Sequence, residues 1–166
     1  MSNVPMTWPE EVLAIHDQNY SHTLTFVGLE KNRILLSNGS IFRHSDDGGI
    51  SWSNEYAGET ETGEALEGNC ASMVNLSDGV IGLATMRSRP GSEVAGDTEM
   101  VFRRSEDSGK TWSAPIVMNT GLMRAHAYQD TMLRTESGRI IQPVYFSVGQ
   151  GSWHHEEAPF LGVYLN

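Results

Sequence analysis

Ser45-Asp46-Asp47-Gly48-Gly49-Ile50-Ser51-Trp52 is matched, 60 residues on, by Ser105-Glu106-Asp107-Ser108-Gly109-Lys110-Thr111-Trp112. Both copies read S-x-D-x-G-x-[ST]-W. A second landmark agrees: Gly79, in LSDGVIGLA, precedes Gly138, in TESGRIIQPV, by 59 residues. Two landmarks with nearly one period mark a structural repeat rather than chance similarity. The motif has a mechanical reading. Its aspartate accepts hydrogen bonds from the N–H groups of its own turn, and its glycine takes a backbone conformation that a side chain resists. The tryptophan buries a large ring and ties the turn to a core. A D-x-G spacing also occurs in calcium loops, but the long ligand loop closed by a bidentate glutamate is absent, so Ser45, Asp47, Gly49, Trp52, Ser105, Asp107, Gly109 and Trp112 read as structural.

Outward from the two copies, the chain is a succession of short β-branched or aromatic runs. They are Thr23–Leu29, Arg33–Leu36, Ile41–His44, Ser72–Leu76, Val80–Thr85, Glu99–Arg104, Ile116–Asn119, Thr131–Thr135, Ile140–Phe146 and Leu161–Leu165. Asn38-Gly39, Asp78-Gly79 and Ser137-Gly138 supply turn chemistry between them. No segment keeps a helical period with caps, so the expected class is all-β.

Composition narrows the partners. In 166 residues, 21 acidic side chains against 11 basic ones give a formal charge of −10. Nucleic acid and anionic membrane surfaces both demand a basic face, and neither is expected as a partner. A single cysteine, Cys70, excludes an internal disulfide framework and a multi-cysteine zinc site. It reads as a small buried hydrophobe, with a reactive thiol as the alternative. The start, MSNVPMTWPEEVLAIHDQ, has neither a basic opening nor an apolar run of secretory length, so a cytoplasmic location is the default expectation.

The repeated motif resembles the Asp-box, or BNR repeat, of sialidases (neuraminidases) and related β-propellers. The resemblance implies a propeller of the sialidase-like type in which each box joins the third and fourth strands of a four-stranded blade. About six blades would make a ring, and the chain supplies about three, near residues 20–68, 69–127 and 128–166. The first is incomplete; the third begins its strands at about Gln129 and stops where a next box is due. Truncation is the favoured expectation, with ring closure by two copies, and hence self-association through open blade edges, as the alternative.

In that family the substrate lies on the face opposite the boxes. Here that face comprises the loops Asn54–Asn69, Arg87–Thr98, Thr120–Gln129 and Ser147–Pro159, which are also the longest. They carry Arg87, Arg89, Glu93, Asp97, Arg124, His126, Tyr128, Asp130, His154, His155, Glu156 and Glu157. The stretch ATMRSRPGSEVAGDTEMVFRRSEDSGKTW is similar to the family's first catalytic blade. By that match Arg87 joins the arginine clamp on a sugar carboxylate and Asp97 is the acid/base candidate, with Glu93 as fallback. Arg124, His126, Tyr128 and Asp130, before the third blade's first strand, are expected near the pocket. Two departures stand against a complete site: Asn69-Cys70-Ala71 replaces the family's R-I-P, and Thr85 replaces a glutamate. The tyrosine nucleophile would lie beyond Asn166. Adjacent residues on one loop rarely share an ion, so His154-His155-Glu156-Glu157 reads as a solvated run and no metal or cofactor is expected. Arg103 and Arg104 are expected as one exposed and one salt-bridged group. The functional expectation is a glycoside hydrolase-like, exo-sialidase-like propeller fragment that acts on or binds terminal acidic sugars. A non-catalytic propeller that binds carbohydrate or protein is the alternative.

Overall fold

A computed structural model describes residues 24–94, 96–118, 125–127, 130–147 and 160–165, with the side chains of 70–71, 126, 145–147 and 160–165 left aside. The described chain is all-β, in several antiparallel sheets. β1 (Thr25–Gly28), β2 (Ile34–Ser37), β3 (Ile41–Ser45) and β4 (Tyr56–Ala57) form a four-stranded meander in chain order. The first unit is thus complete, and the strand missing from the sequence reading is the two-residue β4, too short to show alternation. After β5 (Glu59–Thr60) come β6 (Asn69–Ser77), β7 (Val80–Ser88) and β8 (Thr98–Ser105), all in the second sheet.

The segment after the second motif hairpin divides. β9 (Thr111–Trp112) leaves the sheet to pair in parallel with β5, and β10 (Ile116–Val117) returns to the edge of β8. The segment following the first sheet is thereby bonded to the motif strand of the second. In the third sheet β11 (Ala125–His126) and β12 (Leu133–Arg134) lie along one side of β13 (Ile140–Ser147), with β14 (Phe160–Leu165) on the other. Its first strand therefore begins at Ala125 rather than near Gln129, interrupted where the chain leaves β13 between its two pairing points.

Register makes the first two sheets copies of each other. Ile34 pairs with Ser45 as Ile81 pairs with Ser105, and Phe42 pairs with Tyr56 as Phe102 pairs with Ile116. One apolar cluster joins them: Val27, Leu35 and Phe42 from the first sheet meet Met73, Ile81 and Leu83 from the second and Trp112 of β9. The other face of the second sheet, through Ala84, Met86 and Met100, meets Met132 and Val144 of the third. Strand alternation permits this, since successive residues of β7 face opposite neighbours.

The first strands are knit by a repeated side-chain bond. Met73 N–H donates to Thr25 Oγ1 at 3.0 Å, and Met132 N–H donates to Ser72 Oγ at 2.8 Å. Thr25 in turn donates to Asp130 Oδ1 at 2.6 Å, bringing the first and third sheets together at this seam. Buried hydroxyls need such partners, and each strand here satisfies its neighbour's.

Candidate functional site

The strand ends define two opposite rims. One carries the 31–32 turn, the Asp78-Gly79 turn and both S-x-D-x-G hairpins. In the first hairpin Ser45 Oγ donates to Asp47 Oδ1 at 2.8 Å and accepts the Gly49 N–H at 2.8 Å. Asp47 accepts the Ser51 N–H at 2.9 Å and the Ser51 hydroxyl at 2.6 Å. Ser105, Asp107, Gly109 and Thr111 repeat these bonds at 2.8, 2.8, 2.9 and 2.7 Å. The serine after each tryptophan extends the likeness, since the N–H groups of Ser53 and Ser113 donate to the carbonyls of His44 and Arg104. Bonds from the Ser51 hydroxyl and N–H and the Ser45 hydroxyl hold the Asp47 carboxyl at about 2, below its usual 3.8. For Asp107 burial is the largest single influence and pushes upward. The bonds from Thr111, Ser105 and Lys110 together outweigh it, and its pKa is also lowered. Both carboxylates are saturated by their own turns, as a structural role requires.

A cleft of about 580 Å³ opens on this rim, lined by Glu30, Lys31, Arg33, Asp46, Asp78 and Ser108 among others. Arg33 and Asp46 are already paired there at 2.6 Å. The opposite rim carries the connection between β7 and β8 and a cleft of about 510 Å³ lined by Glu67, Gly68, Asn69, Met86, Arg87, Ser88 and Thr98. The second is slightly smaller, and of the site residues singled out from the sequence it holds Arg87.

Arg87 lies inside β7 rather than in the loop after it, opposite Glu99 in register. Its Nε and Nη2 donate to Glu99 Oε1 at 3.0 and 2.8 Å, and its side chain is 15% exposed. Nη1, the remaining edge of the fork, makes no bond among the described residues. Arg89 reaches Asp97 Oδ2 at 3.0 Å and Glu99 Oε2 at 3.4 Å. Asp97, expected as an acid/base, is a buried member of this network and also accepts the Ser92 hydroxyl at 2.8 Å. Glu93 is exposed in the same loop. Asp130 sits apart, held by Thr25 at the seam of first strands. His126 falls in β11 with its side chain outside the described set, and Arg124, Tyr128 and His154-His155-Glu156-Glu157 lie outside the described residues. Among the described residues no group of three or more histidine, cysteine, aspartate or glutamate side chains is placed to hold a metal.

Arg89 and Glu99 had not been singled out together, although a signal was present. Arg87 and Arg89 on one arm mirror Asp97 and Glu99 on the other, and folding the hairpin brings unlike charges opposite each other. Arg103 corrects the expectation for its pair. Arg104 is half exposed and bonded to Glu106 at 3.1 Å, whereas Arg103 is buried, with Nε and Nη1 unpartnered. Alternation along β8 sends it into the seam between the first two sheets, where burial foremost, and then the Arg87 charge, lowers its pKa against an opposing pull from Glu67.

No family model matches the chain, and no curated protein does. Similar solved structures include a lysine-to-glycine mutant of NanB sialidase from Streptococcus pneumoniae and NanB with Optactamide. Each has 20% identity, a TM-score of 0.46 and coverage of 85% of this chain. The chain spans 21% of the length of those proteins.

Proposed function

We propose that the chain is a run of three blades of an Asp-box β-propeller of the sialidase-like kind, and that the cleft at Arg87 binds the carboxylate of an acidic sugar. The architectural part rests on two hairpins whose serine and aspartate make the same bonds and on first strands stitched hydroxyl to N–H around one seam. The binding part rests on a single observation. Arg87 lines the cleft with its guanidinium locked against Glu99 and one N–H edge left over. A guanidinium so held loses little further freedom on meeting a carboxylate, and its planar fork matches that group. Asn69 and Ser88 bring amide and hydroxyl groups suited to sugar hydroxyls to the same cleft.

Hydrolysis belongs to this reading only for a longer protein. Asp97, with 3% of its side chain exposed and bonded to Arg89 and Ser92, is poorly placed to reach a glycosidic oxygen. That burial favours the second reading, a non-catalytic carbohydrate- or protein-binding propeller. Saturation-transfer NMR with free sialic acid and, separately, galactose tests the binding. Sialic acid alone should give signals, and Arg87→Ala should abolish them. Equal signals from both sugars, or signals that survive the substitution, would sink the assignment.

A further inference from the structure

We infer that the acidic sugar at Arg87 is a zwitterion, its carboxylate meeting the arginine and an unacylated amino group meeting Glu67. The inference rests on the acidic-sugar reading of that cleft and narrows it to one class of ligand. Glu67 and Arg87 line the same cleft of about 510 Å³. The path of the chain sets them side by side. Asn69 pairs with Met86, the neighbour of Arg87, and Gly68 lies against the same strand. A methyl on Gly68 would stand 2.7 Å from the Met86 carbonyl oxygen and 2.9 Å from Thr85 Oγ1, so only glycine permits this approach. From the other side, the Gly39 turn of the first sheet bridges to Asn69, and a Cβ on Gly39 would fall 2.6 Å from the Gly68 carbonyl oxygen. Glu67 therefore adjoins a segment clamped between two sheets.

The acids and arginines of this rim differ in what each already holds. Glu99 accepts Arg87 on one carboxylate oxygen and Arg89 on the other, while Asp97 accepts Arg89 and Ser92. Glu67 is exposed, and its carboxylate makes no hydrogen bond or ion pair among the described residues. The cationic counterpart in the cleft is the remaining N–H edge of Arg87. Behind them lies Arg103, 4% exposed. Burial foremost lowers its pKa, Arg87 adds to that shift and Glu67 opposes it, so both charges of the cleft act on one covered guanidinium. Arg87, Arg89 and Arg103 thus balance Glu67, Asp97 and Glu99. A plain anion finds no net attraction at such a site and is repelled by a chain of charge −10. A zwitterion escapes that repulsion and finds an opposite charge for each of its own.

Titration calorimetry on the full chain with a matched pair of ligands decides this. One is the methyl glycoside of neuraminic acid, which keeps its ammonium; the other is that of N-acetylneuraminic acid, in which an amide replaces it. The amine should bind about tenfold more tightly, the worth of one charge-assisted bond in a cleft open to water. Glu67→Gln, at an exposed position, should bring the two affinities together with unchanged circular dichroism, and Glu67→Asp should keep part of the preference. Equal affinities in the parent chain, tighter binding of the N-acetyl form, or a preference that survives Glu67→Gln would each overturn the inference and leave the acidic-sugar reading standing. Binding of neither ligand would overturn both, as would binding that Arg87→Ala leaves unchanged.

Discussion

The two S-x-D-x-G-x-[ST]-W hairpins share the bonds of their serine and aspartate and differ in the surroundings of their tryptophans. Trp52 is half-buried and donates its indole N–H to the Gly49 carbonyl at 3.1 Å, within its own turn. Trp112 is fully buried, its indole nitrogen unpartnered, and its ring stacks on Phe42 of the preceding sheet at 5.4 Å with an interplanar angle of 25°. Phe42 continues the stack to Tyr56 at 5.9 Å. The hairpin is therefore a local object, complete in about eight residues, whereas the tryptophan's contribution depends on a sheet lying against it. A lost indole hydrogen bond costs on the order of 1–3 kcal/mol, and full burial of so large a ring outweighs it.

The largest contrast should come from the rings. Trp112→Ala should destabilise by about 3–5 kcal/mol in urea unfolding, against about 1–2 kcal/mol for Trp52→Ala. Equal losses would mean that Trp52 is as well covered as its counterpart. The motif glycines give a smaller contrast. Gly49 and Gly109 have φ of 96° and 86°, so alanine at either suffers the left-handed backbone cost of about 1–2 kcal/mol. A methyl at Gly109 would also overlap Leu35, while at Gly49 it meets only Ile34 at 3.7 Å and Trp52 at 3.8 Å. Gly109→Ala should therefore lose about 1–3 kcal/mol more than Gly49→Ala, again read from urea midpoints.

Acid gives the smallest effect and the one most nearly shared. Both motif carboxylates have lowered pKa values in the folded chain, so the unfolded chain binds more protons as pH falls below the ordinary aspartate value. Their stabilisation is fully present above that value and is lost on acidification, for Asp47 down through about 2. Asp47→Asn and Asp107→Asn should each flatten the fall of the urea midpoint over this range. A variant with the parent's acid profile would show that its carboxylate has no special partner.

The outcome for each region follows the range of the forces that shape it. Strand positions were legible because alternation and turn dipeptides act over a few residues, and all ten expected runs contain or overlap observed strands. The motif was legible for the same reason. Parallel pairing of β5 with β9 was not, because two-residue strands carry no pattern and their partners lie far apart in sequence. Arg103 was misread because an arginine beside another in an edge-like segment looks solvated until a neighbouring sheet covers it. The site was half legible: Arg87 lines the cleft, but Asp97 is turned into an ion network whose members are set by hairpin register.

By itself the sequence determined an all-β chain, its turns and two self-bonded aspartate hairpins, since these depend on backbone geometry and on partners within about eight residues. Only the tertiary structure decided which tryptophan is buried and which arginine lines a cleft. Those outcomes depend on which sheet lies against which, a matter of contacts between residues far apart in the chain.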